Sequence, residues 1–110
     1  MSKHYELADK GAVELLERVR KEHHEVLGND LRIEFLFHVH EKANDERVLM
    51  RVAGYATAGR VKILGPVDRA AGRPDLQLVV CWKWWQDAEH PERAALLDRL
   101  LTYVERIGDE

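Results

Sequence analysis

Between Tyr5 and Leu27 apolar positions recur at Ala8, Ala12, Leu15, Leu16, Val19 and Val26, with His23 on the same stripe, at intervals of three and four. That spacing lines one face of a helix, so a long amphipathic helix is predicted there. Its outer face offers Glu14 with Arg18 and Glu17 with Lys21 at i,i+4, and Gly28-Asn29 supplies a left-handed stop. From Leu31 to His40 the period changes to two. Ile33, Phe35, Phe37 and Val39 alternate with Arg32, Glu34, His38 and His40, as in a half-buried strand, and Leu36 is the misfit.

Lys42 to Glu46 reads as a polar loop and Arg47 to Ala58 as a second strand pairing back, with Gly54 at a bulge or close contact. Arg60 to Leu64 is a short third strand, after which Gly65-Pro66 and the stretch Arg69 to Pro74 break regular structure. The run Leu76, Leu78, Val79, Val80, Cys81 within Asp75 to Trp82 is almost continuously apolar, the pattern of a central strand covered on both faces. His90-Pro91-Glu92 then opens a last helix reaching about Ile107. Its apolar set, Ala94, Leu96, Leu97, Leu100, Leu101, Val104 and Ile107, covers over half its circumference, which predicts a helix packed between other elements. The expected architecture is α+β: a long N-terminal helix, a three- to four-stranded, mostly antiparallel sheet and a buried C-terminal helix.

Composition narrows the function classes. A chain of 110 residues, 45% hydrophobic and 34% charged, suits a single globular domain over residues 1–110. Internal repeats, low-complexity tracts and linkers are absent from the sequence. The net charge of −3 supplies no overall positive field toward nucleic acid or an anionic membrane. One cysteine, Cys81, cannot form an internal disulfide, which suggests a reducing compartment. With no apolar run near the ~20 residues that span a bilayer and no signal-like stretch in Met1 to Lys10, a cytoplasmic protein without a membrane partner is expected.

The order helix, strands, apolar strand, tryptophan-containing turn, then the helix Ala94-Ala95-Leu96-Leu97-Asp98-Arg99-Leu100-Leu101-Thr102-Tyr103 resembles the phage metallopeptidase family, a zincin-like group. The opening Tyr5-Glu6-Leu7-Ala8-Asp9 and the strand Phe35-Leu36-Phe37 belong to the same resemblance, which runs from about Tyr5 through Glu105. In that family the helix reads approximately A-L-L-D-H-E-L-x-H, two histidines one turn apart binding zinc beside a glutamate that activates water. The corresponding positions here are Arg99, Leu100 and Tyr103. A permanent cation, a side chain without a ligating atom and a neutral phenol cannot replace two imidazoles and a carboxylate. A third ligand in such proteins usually lies downstream, and only seven residues follow Tyr103. The resemblance therefore implies a zincin-like scaffold without zinc, cofactor or hydrolase activity, in a phage or mobile-element setting. It would act by binding a macromolecular partner, for instance as an inhibitor of a host defence or regulatory protein.

Other residues offer rival chemistry. His38 and His40 share a strand face and with a further histidine would make a relocated metal site, hence a metal-dependent hydrolase; His23 and His24, adjacent on a helix, diverge. Solvated or hydrogen-bonded histidines are the plainer reading. Trp82 and Trp84 fall on one strand face as core, while Trp85 turns away as a candidate exposed anchor for a protein partner. Arg60, Lys62, Arg69 and Arg73 form the densest basic stretch, a candidate nucleic-acid contact, although without stacking aromatics or a glycine-rich cradle. Ser2 and a buried Cys81 leave no plausible nucleophile with a base.

Overall fold

Asp9 decides where the first helix begins. In the computed structural model, which describes residues 3–28, 30–40, 50–52 and 55–108, its carboxylate accepts from the Ala12 N–H at 2.8 Å and caps helix α1, Lys10–His23. The helix is therefore shorter than the apolar spacing predicts. Residues before the cap form strand β1, Lys3–Leu7, in which Tyr5 and Leu7 alternate with Glu6. At the far end a 3-10 turn, Glu25–Leu27, stops at Gly28, whose φ of 70° is the expected left-handed exit. The helix surface carries Lys10 with Glu14 at 3.9 Å in place of the predicted Glu14–Arg18 pair.

Strand β2, Ile33–His40, matches the predicted alternation. The predicted second strand, Arg47 to Ala58, is not one strand: its described parts, β3 (Met50–Val52) and β4 (Tyr55–Thr57), pair with each other as a separate antiparallel ribbon. The predicted 42–46 loop and Gly54 lie outside the described residues. Strand β5 is Gly59–Ile63, a short helix α2 runs Pro66–Ala70, and β6 is Leu76–Cys81. Arg69 thus stands in a helical turn, not in the predicted loop. Helix α3, Trp82–Asp87, follows β6 directly, and helix α4, His90–Gly108, closes the fold. The Glu92 carboxylate reaches back to the Glu89 N–H at 3.2 Å, half of a capping box, with Pro91 in the first turn where its missing N–H costs nothing.

The main sheet has the order β1-β2-β6-β5. β1 runs antiparallel to β2 and β5 antiparallel to β6, while the two central strands, β2 and β6, are parallel. The class is α+β, as expected. Helices α1 and α4 pack against each other on one face of this sheet, where Phe35, Phe37, Leu76, Leu78 and Val80 meet Leu15, Leu16, Val19, Leu97 and Leu101. The opposite face holds a second, small cluster of Val79 and Cys81, flanked by Leu36 and Trp84. Leu36, the misfit in the alternation, is therefore a core residue of the other face.

Candidate functional site

Helix α4 carries the positions singled out by the resemblance. Leu96, Leu97, Leu100, Leu101 and Val104 are buried, whereas Arg99 and Tyr103, one turn apart, are exposed together on the outer side. Leu100 faces the other way. Its Cδ1 lies 3.1 Å from where a Cβ on Gly59 would stand, so strand β5 and helix α4 approach closely because residue 59 has no side chain. The helix-turn spacing thus holds a hydrophobic plug against the sheet, flanked by two solvent-facing side chains.

Two turns of the same helix carry a feature the sequence pattern hid. His24 is 3% exposed, and its ring lies between two α4 carboxylates seven residues apart: Nε2 is 2.6 Å from Asp98 Oδ1 and Nδ1 is 2.6 Å from Glu105 Oε1. Helical spacing assigned His23 to the buried stripe, but α1 ends at His23 and His24 leaves the helix with φ −135° and ψ 39°. That change of direction turns His24 inward and leaves His23 in solvent. The signal available in the sequence was an i,i+7 pair of acids on the last helix, which requires a cationic or donor partner where it is covered.

The two carboxylates sit on opposite nitrogens of one ring, so a single cation cannot take all three groups as they stand. With both nitrogens protonated the ring donates to both, and the cluster clasps the end of α1 to α4. Thr102 adds a bond from its hydroxyl to the Asp98 carbonyl at 2.8 Å. Among the described residues no buried side-chain polar atom lacks a hydrogen-bond partner, and no group of three ligating side chains could hold a metal ion.

The other candidates are dispersed. His38 stands beside Tyr5 of β1, rings 5.2 Å apart, and opposite Cys81 of β6, while His40 pairs in register with Lys3. The described structure brings no third histidine to them. Trp85 is not an exposed anchor: it is 6% exposed and packs on Phe35 and Phe37 with centroids 5.5 and 5.6 Å apart. The reason is a change of period. Residues 82–87 are helical, so Trp82 and Trp85, three apart, share the core-facing side, where strand alternation would have turned Trp85 away. Arg93 fixes it, donating from Nε to the Trp85 carbonyl at 2.8 Å with its guanidinium 5.2 Å from the ring centroid.

The basic stretch is divided as well. Arg60 and Lys62 lie on the sheet face opposite α1 and α4, in register with Val79 and Gln77. Arg69 lies 4.0 Å from Asp75 and Arg73 3.4 Å from Asp68, so two of the four cations already face acids.

One cleft, of about 560 Å³, opens where β1 turns away into α1. It is lined by apolar side chains of β1, α1 and β2, and Leu7 and Val13 on its rim are among the exposed large hydrophobics. Arg20 and Arg32 reach it too, but their guanidinium groups donate to the carbonyls of Gly28, Leu31 and Gly72. Sequence reasoning missed this cleft because β1 was read as helix. No helix among the described residues is long and apolar enough to cross a membrane. Comparison with family models, curated proteins and solved structures finds no match for this chain.

Proposed function

We propose that this chain is a non-catalytic, zincin-like domain that acts by binding a protein partner. The observation that carries the reading is the seat of Leu100: the place at which the resembled family has its catalytic glutamate is filled here by a leucine, 7% exposed and closely packed over Gly59. A carboxylate there would stand in the hydrophobic core, where its charge is costly without a partner. Arg99 and Tyr103, at the places of the two zinc-binding histidines, face solvent and offer one permanent cation and one phenol. The helix is held by apolar packing and by the His24 clasp, neither of which requires a metal.

Zinc titration of the untagged protein by calorimetry, with melting recorded in the presence and absence of a chelator, tests this. The expected result is no stoichiometric zinc binding and no chelator-dependent change in Tm. The triple variant Arg99→His, Leu100→Glu, Tyr103→His should gain at most weak zinc binding, because hydrolysis needs a third protein ligand and an oriented second shell as well as two imidazoles. Chelator-sensitive cleavage of a fluorogenic peptide by the unaltered protein would overturn the reading.

A further inference from the structure

Strand β2 is longer than either neighbour covers. Its register with β6 begins at Ile33, but its register with β1 reaches back only to Leu36, extended by one bond from the Ala8 N–H to the Phe35 carbonyl at 3.0 Å. Peptide groups alternate in direction along a strand. The Arg32 carbonyl accepts from Asp75 and Leu76 on the β6 side, and that of Phe35 accepts on the β1 side, so the N–H and C=O of Ile33 face the β1 side too. There β1 has already turned at Asp9 into α1. The next carbonyl in line, that of Leu31, is occupied by the Arg20 guanidinium at 2.7 Å. What remains is a notch one strand wide at the floor of the cleft.

The walls of the notch are apolar and its charges are acidic. Leu7 is 71% and Val13 39% exposed, with half-buried Leu31 beside them. Both arginines of the cleft turn their guanidinium groups to backbone carbonyls. Glu17, on α1, has no ion pair within 4.0 Å among the described residues, and Glu34, on the opposite sheet face, accepts only from the neutral amide of Gln77 at 2.7 Å. A strand entering the notch therefore meets main-chain donors and acceptors along its edge, aliphatic side chains around it, and a carboxylate above and below.

We propose that this notch docks an extended peptide segment of alternating apolar and basic side chains, which continues the line of β1 by pairing its main chain with Ile33. An apolar side chain of that segment seats on Val13 and Leu31, and its cations are met by Glu17 and Glu34. Strand addition to an open edge takes affinity from main-chain hydrogen bonds and specificity from alternate side chains. The inference rests on the partner-binding reading above and names where and by what chemistry the partner is held.

The test uses the full chain, 15N-labelled, titrated with an acetylated, amidated peptide of alternating lysine and valine and followed by NMR. Saturable shifts centred on the Ile33 and Phe35 amides and on Leu7 and Val13 are expected, with a dissociation constant on the order of 1 mM for so short a probe. The same peptide N-methylated at alternate amides, and its glutamate-for-lysine counterpart, should each bind at least about tenfold more weakly. Leu7→Asp with Val13→Asp should abolish the shifts while the rest of the spectrum is retained; if that pair disturbs folding, Glu17→Lys serves instead and should reduce the preference for lysine over glutamate. Absence of saturable shifts, shifts centred elsewhere, or equal binding of the N-methylated peptide would overturn the proposal. Those outcomes leave the zinc titration untouched, so failure of the notch and failure of the non-catalytic reading are separately visible.

Discussion

Leu78 and Val79 are neighbours in β6 and equally buried, at 0% and 1% exposure, yet they belong to different worlds. Leu78 points to the face covered by α1 and α4 and joins a cluster that ties both helices to three strands. Val79 points to the opposite face, where the described cluster is only Cys81 with Leu36 and Trp84 at its margin. Fractional burial alone does not say how much of the fold rests on a residue. The number of elements that meet there does, because a cavity between several fixed elements closes less readily than one beside a half-exposed side chain.

Leu78→Ala should accordingly give the largest loss, about 3–5 kcal/mol in urea unfolding, with Leu97→Ala close to it. Val79→Ala should cost about 2 kcal/mol, mainly the transfer free energy of the two methyl groups. Equal losses at 78 and 79 would mean that the second face is as firmly covered as the first. His24→Ala ranks next, at about 1–3 kcal/mol, since it removes a buried donor while Asp98 and Glu105 retain partial access to water. A double-mutant cycle with Glu105→Gln should show coupling of about 1 kcal/mol, and additivity would remove the clasp from the account.

Smaller effects test the helix-covered face at its edge. Gly59→Ala should cost about 1 kcal/mol, because the new methyl stands 3.1 Å from Leu100 Cδ1 and 3.5 Å from Leu96, and those flexible ends must shift. Arg99→Ala, on the exposed side of α4, should change stability by under about 0.5 kcal/mol. A large effect at Arg99 would place it in a contact that the described residues do not show.

The parts legible in the sequence were those whose cause is local. Alternation in Ile33–His40, the continuous apolar run of β6 and the capped start of α4 each follow from side-chain period and a few terminal residues, and each element formed where expected. Local signals competed at two places. Tyr5 to Leu7 fits the margin of a helical stripe as well as a strand, and the Asp9 cap together with pairing to β2 decided for the strand. Trp82 to Trp85 fits either period, and docking of Trp85 on Phe35 and Phe37 decided for the helix. Such short segments have no period long enough to outweigh their packing.

What the sequence alone determined is the α+β class, the main amphipathic elements and the chemical identity of Arg99, Leu100 and Tyr103. The tertiary structure alone decided that His24 lies between Asp98 and Glu105, 74 and 81 residues away. It also decided that Leu100 rests against Gly59, and that β2 outruns β1 and leaves Ile33 at an open edge. The physical reason is common to all three: which groups meet across long sequence separations is set by the register and orientation in which whole elements pack. A periodic pattern fixes the face of one element, but not the residue that faces it from the next.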